Sequence, residues 1–165
     1  MNNPVRERRL LSDFAAAEAA CRASRQRIVL EEALGEPPAA YHFRFRCMTV
    51  ARLDGDTPVY TEESRVYVQF PPLYPAQPPA VTLLTSVVHP HVWPNGTVCL
   101  GSWRVTEKLD VLLQRVGDLL TYAPAALNWR SVADDRAAEW AKRHQDLFPL
   151  DQPLFTSIPA RMIDV

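Results

Sequence analysis

Val88-His89-Pro90-His91-Val92-Trp93-Pro94-Asn95-Gly96-Thr97-Val98-Cys99-Leu100 decides how the rest of the chain is read. Two histidines, two prolines, an Asn-Gly pair and a cysteine fall within these residues. Asn95-Gly96 supplies the positive φ that a tight turn needs. Pro90 and Pro94 each lack an N–H and stiffen the backbone, which marks an ordered loop rather than strand or helix. A cysteine held at the end of such a loop, within reach of imidazoles, is a candidate nucleophile.

Downstream of Cys99 the pattern is helical. Leu109, Leu112, Leu113, Val116, Leu119 and Leu120 follow i, i+3, i+4, i+7, i+10 and i+11, with Thr106 or a neighbour as cap. Tyr122 to Arg130 reads as a loop by its Ala-Pro-Ala-Ala content, with helix the alternative, and a further helix is expected over roughly 132–145. Upstream, alternation predicts strands over 28–34, 41–53, 65–70 and 80–84. Phe43, Phe45, Cys47 and Thr49 share one face of the second. Short turns between these strands, including Asp54-Gly55-Asp56-Thr57-Pro58, imply an antiparallel meander. The five prolines of Pro71-Pro72-Leu73-Tyr74-Pro75-Ala76-Gln77-Pro78-Pro79 make a rigid crossover. Before all this, residues 4–27 read as an amphipathic helix whose inner face carries Leu10, Phe14, Ala17 and Cys21.

The totals narrow the class. At 165 residues the chain forms one domain with a real core. Its net charge of −1 gives no reason to expect nucleic acid or a membrane surface as partner. Cys21, Cys47 and Cys99 are odd in number and scattered, which fits a reducing, cytoplasmic setting rather than a disulfide framework. Neither a signal peptide nor a transmembrane span is expected. Sixteen arginines stand against two lysines, Lys108 and Lys142. That ratio fits a high-GC bacterial genome; the other reading is a chain that limits acylation of its own lysines.

With these residues in hand, the chain resembles the ubiquitin-conjugating enzyme family over roughly residues 4–146. His89-Pro90 and Cys99-Leu100 stand at that family's spacing, with His91 in place of its Asn. Tyr74-Pro75 with Pro78-Pro79, and Thr57-Pro58 with Tyr60, resemble its flanking segments. The resemblance implies an α+β fold: N-terminal helix, four-stranded antiparallel meander, active-site loop, then C-terminal helices. Residues 1–146 are expected to be the catalytic domain. The tail 147–165 either packs back on the body or binds a partner.

What the resemblance implies chemically is a carrier. Cys99 accepts a ubiquitin-like protein as a thioester from an activating enzyme and passes it to an amine on a protein substrate. His91 takes the role of the family's Asn, or only braces the loop. The segment that flanks the cysteine, where relatives often place an acid that orients the attacking lysine, falls at Leu127 or Asn128, with no carboxylate before Asp134; Asn128 is a catalytic candidate that orients the amine by hydrogen bonding, or else an ordinary turn residue. His89, Pro90, Asn95 and Gly96 structure the loop, and Arg6, Arg8 and Arg9 on the first helix are candidates for docking the activating enzyme. The implied setting is a bacterial modification pathway, with phage defence among its uses. The alternative is a non-catalytic module of the same fold that binds a ubiquitin-like protein. His89, His91 and Cys99 are acceptable metal ligands, but no CxxC or fourth ligand accompanies them, so neither metal nor cofactor is expected.

Overall fold

In a computed structural model, which describes residues 3–151 and 153–155, helix α1 (Pro4–Ala23) leads into strand β1 (Ile28–Leu34). Asn3 caps the helix, its side-chain oxygen accepting from the Val5 and Arg6 amides at 3.1 and 3.2 Å, and Pro4 stands first inside it. The helix ends earlier than its periodicity predicts. Arg25 and Gln26 both take left-handed backbone, at φ 54° and 63°. The Ser24 hydroxyl bridges the break, donating to the Cys21 carbonyl and accepting from the Ile28 amide.

The strands β2 (Ala40–Phe45), β3 (Thr49–Asp54), β4 (Thr57–Thr61), β5 (Ser64–Gln69) and β6 (Ala80–Leu83) follow. A four-stranded antiparallel sheet runs in the order β1-β2-β5-β6, and β3-β4 form a hairpin of their own. The segment expected as one strand over 41–53 is therefore two. Phe45 pairs with Ser64 and Thr49 with Thr61, so three residues (46–48) face two (62–63). The extra residue bends this ribbon away from the main sheet, as a bulge does. The inward face survives the bend: Phe43, Phe45, Cys47 and Thr49 are all buried.

Helix α2 (Leu109–Leu120) and helix α3 (Asp135–Arg143) follow, giving the α+β order expected. All six apolar residues of the α2 stripe are buried. They share the main core with α1 and the inner face of the four-stranded sheet. A second, smaller core joins Val50 of the hairpin to Tyr122, Trp140 and Ala141. The Trp140 indole donates to the Asp56 carbonyl at 2.8 Å, tying α3 to the hairpin.

The described start of the tail packs back on the body. Leu154 is buried in the main core against Gly117, Asp151 accepts from the Met48 amide at 2.9 Å, and Arg27 pairs with Asp151 at 3.1 Å. Residues 156–165 lie outside the described residues.

One buried acid has no place in the helical pattern as read above. Asp13 is fully buried on the inner face of α1. Its carboxylate accepts from the Arg9 guanidinium (3.1 Å), the Tyr74 hydroxyl (2.6 Å) and the Leu109 amide (3.0 Å). The last contact caps α2, so the N-terminus of that helix is capped from α1 and not by Thr106. Arg9 also donates to the Val105 and Glu107 carbonyls and lies over the Tyr74 ring.

Candidate active site

The loop carrying Cys99 is gripped from both cores. On one side it lies along β6: the Leu83 amide donates to the Gly96 carbonyl at 2.8 Å, and the Val98 amide to the Val81 carbonyl at 3.0 Å. Asn95 accepts from the Thr97 amide at 3.0 Å, and Gly96 takes φ +91° hard against the Leu83 carbonyl, where a Cβ would collide. The Pro-Asn-Gly turn is thus the tight turn expected, and its glycine is required both by φ and by close approach. On the other side, the Pro90 carbonyl accepts from the Ala133 and Asp134 amides, fastening the loop to the entry of α3.

Both histidines are buried within this grip. His89 Nδ1 accepts from the His91 amide at 3.0 Å, and its ring lies 4.5 Å, edge-on, from that of Tyr122. Burial first, and then the neighbouring His91, push its pKa down to about 3, so the ring is neutral. The Tyr122 hydroxyl donates to the Val88 carbonyl, and burial pushes its own pKa up. His91 Nε2 accepts from the Asn128 amide at 2.9 Å. Burial lowers the His91 pKa, opposed by a backbone hydrogen bond at Ser131. A nitrogen that accepts a backbone N–H has no proton to donate, so Nε2 of His91 is committed to bracing rather than to an oxyanion.

Cys99 is partly exposed, while Cys21 and Cys47 are buried. Its amide donates to the His91 carbonyl at 2.8 Å. Burial raises the thiol pKa of both other cysteines, that of Cys47 to about 12. Of the three thiols, only Cys99 is placed and accessible for nucleophilic work. It opens on a cleft of about 420 Å³ whose walls include His91, Leu100, Asn128 and Ser131. Asn128 is exposed, and its side-chain oxygen accepts from the Arg130 amide, an Asx turn that shapes the cleft's outer lip. The structure thus brings Cys99, His91 and Asn128 to one place, with His89, Pro90, Asn95 and Gly96 forming the loop that presents them. The short rim after Cys99 is held by Trp103, whose indole donates to the Pro75 carbonyl at 3.1 Å.

Asp118 was missed by the sequence reading. It lines the same cleft from α2, well before Asp134, so a carboxylate does flank Cys99. Asp134 itself caps α3, accepting from the Ala137 amide. A signal existed: Asp118 is the one acid among the apolar residues of the last α2 turn. The first-helix arginines divide. Arg8 is exposed; Arg6 donates to the Pro71 carbonyl at 3.3 Å, and Arg9 is bound into the Asp13 network.

Comparison with known proteins places this geometry. The family model described as "Ubiquitin-conjugating enzyme" matches residues 43–149, which contain the whole loop, the cleft and α3. Ubiquitin-conjugating enzyme E2 2 of Trichoderma harzianum is 31% identical over 96 residues, covering 53% of this chain and 64% of that protein. Ubiquitin-conjugating enzyme E2-18 kDa of Drosophila melanogaster is 30% identical over 86 residues, covering 49% and 54%. The chain therefore spans less than two thirds of the length of these relatives. A ubiquitin conjugating enzyme E2 domain of Toxoplasma gondii superposes with a TM-score of 0.59 over 87% of this chain and 90% of that one, at 18% identity. On the family match, which takes in most of the chain, this protein belongs to the ubiquitin-conjugating enzyme family.

Proposed function

We propose that the protein carries a ubiquitin-like protein as a thioester on Cys99, received from an activating enzyme and delivered to an amine on a protein substrate. The observation that carries this reading is the contrast among the thiols. Cys99 alone opens on a cleft, its amide pinned to His91, while Cys21 and Cys47 are sealed in the core. A thioester forms by exchange and stays reactive toward amines, which is what a carrier needs. A non-catalytic binding module would have no use for a presented thiol.

Within this reading His91 is a positioning residue. Its ring clamps the segment at Asn128, and its carbonyl fixes the Cys99 amide. Residues 1–146 form the catalytic unit, with the start of the tail strapped to it. The ratio of sixteen arginines to two lysines fits a bacterial genome; a cytoplasmic modification pathway, phage defence among its uses, is the setting that the family resemblance implies. Among the described residues no helix is long and apolar enough to cross a membrane.

The test is loading. With ATP, a cognate activating enzyme and its ubiquitin-like protein, a reductant-sensitive adduct should form and be absent in Cys99→Ala. Cys99→Ser should give a reductant-resistant ester. Loading that persists in Cys99→Ala, or that maps to Cys21 or Cys47, would sink the assignment.

Docking of the activating enzyme falls first to Arg8, because Arg6 and Arg9 serve the fold. Arg8→Glu should slow loading severalfold at low salt, with the difference shrinking as salt rises and the melting temperature unchanged. Equal loading rates across the salt series would leave Arg8 an ordinary surface residue.

A further inference from the structure

A lone arginine in a cleft invites an anion, but Arg115 is already engaged. It is the only arginine or lysine among the residues lining the Cys99 cleft. From α2 its guanidinium donates to the Ser102 carbonyl at 3.0 Å and to the Glu107 carboxylate at 2.8 Å. Those acceptors stand near the two ends of the rim that follows Cys99. Residues 101–107 form neither helix nor strand, so side chains must hold them. Arg9 and Trp103 fasten the far part, through the Val105 and Glu107 carbonyls and the Pro75 carbonyl, and neither lines the cleft. The near part depends on Arg115. Among the described residues no other hydrogen bond reaches Gly101 or Ser102. Gly101 takes φ +74°, and beyond its chain neighbours no atom lies within 4 Å of where a Cβ would stand, so packing does not hold it either. Glu107 makes the clasp all or none. Its carboxylate is mostly buried, and among the described residues Oε1 pairs with Arg115 alone while Oε2 has no partner. With the guanidinium gone, that carboxylate has to turn toward water and carry the rim with it.

We propose that Arg115 is a positioning residue for transfer: by gripping Ser102 and Glu107 at once it keeps the rim standing as a wall of the cleft, and that wall holds the acyl group on Cys99 to one line of approach. This rests on the carrier reading above and adds to it the residue that shapes the cleft. In transfer the amine nitrogen bonds to the thioester carbonyl carbon and the carbon–sulfur bond breaks. Cys99 leaves as thiolate, and the surplus proton on nitrogen passes to solvent. The amine has to arrive within about 3–3.5 Å of that carbon and in line with it. A wall free to swing on Gly101 lets the acyl group turn off that line. The same swing opens the thiol to reagents too large for the closed cleft. Lysine is no substitute for Arg115. An ammonium keeps the charge beside Glu107 but lacks the planar fork that meets two acceptors together.

The first measurement needs no transfer. Full-length protein is alkylated at Cys99 with iodoacetamide and, separately, with a bulky biotin-maleimide. Relative to the parent, Arg115→Met and Arg115→Lys should both react severalfold faster with the maleimide and little differently with iodoacetamide. The second measurement loads the same proteins chemically, by exchange with a short peptide ending in Gly-Gly and carried as its mercaptoethanesulfonate thioester, and follows single-turnover discharge over a range of free lysine. Both variants should lower the limiting rate by about 10²-fold, the cost of about 1 Å of misplacement, with the half-saturating lysine concentration little changed. Arg115→Lys, which keeps the ion pair, should melt close to the parent, so its slow discharge reports position and not loss of fold. If Arg115→Met does not fold, Arg115→Lys decides alone. Discharge of Arg115→Lys at the parent rate, or parent alkylation rates with both reagents, overturns the inference while leaving the carrier intact. Absence of any Cys99 adduct in the parent overturns the carrier reading and the transfer role of Arg115 with it.

Discussion

Asp13→Ala is expected to destabilise the protein by about 3–5 kcal/mol, the cost of removing one partner from a buried charge pair. The single carboxylate serves three donors in three segments: the Arg9 guanidinium, the Tyr74 hydroxyl and the Leu109 amide. Alanine leaves the buried Tyr74 hydroxyl and Leu109 amide without an acceptor and strips Arg9 of its carboxylate, and α2 loses the cap that none of its own residues supplies. Asp13→Asn keeps an acceptor for the Leu109 amide and should cost markedly less. In a domain of this size the alanine variant should melt about 10 °C lower. A loss under about 1 kcal/mol by urea titration would make the network worth no more than an exposed ion pair.

Acid should unfold the protein through His89. In the unfolded chain this imidazole takes up a proton near pH 6.5, while in the folded one burial holds its pKa at about 3. Between those values the unfolded state binds more protons, so stability falls as pH falls. The slope is about 1.4 kcal/mol per pH unit, amounting to about 4 kcal/mol by pH 3.5. His91, whose pKa is displaced downward by the same cause, adds in the same direction. Above pH 6.5 both rings are neutral in either state and the contribution is complete. His89→Asn offers an oxygen near the place of Nδ1 for the His91 amide and cannot titrate. Its stability should therefore fall less steeply between pH 6.5 and 4, by close to one proton. Parallel slopes for the two proteins would show that His89 is not the acid-sensitive group.

The parts of this molecule that were legible are those written in local order. The α2 stripe is periodic, and it is buried residue for residue. The Pro-Asn-Gly turn demands its geometry wherever it occurs, and it has it. What the sequence hid depends on register or on distant partners. The break at 46–48 follows from pairing with residues 62–63, which no single strand announces. The end of α1 is made by Arg25 and Gln26 in left-handed backbone, a conformation usually signalled by glycine. Asp13 was readable in part. It stands three residues after Leu10 and four before Ala17, on the apolar face, but its partners Tyr74 and Leu109 are remote. The direction of the His91 ring, which decides between donor and brace, is set by an amide in the segment before α3.

The loop that bears Cys99 also closes the open side of the sheet. Strand β6 is the last in the order β1-β2-β5-β6, and an outermost strand offers unpaired amides and carbonyls to any passing chain. Here residues 96–98 take those groups, through Gly96 with Leu83, Val98 with Val81, and a bridge from Thr97 to Thr82. The opposite border, β1, is guarded by Glu31 and Glu32 and by a bulge between Leu30 and Glu32. Solubility and reactivity are thus vested in one stretch of backbone. A change that frees the loop to move more around the thiol also bares a strand on which copies of the chain can stack.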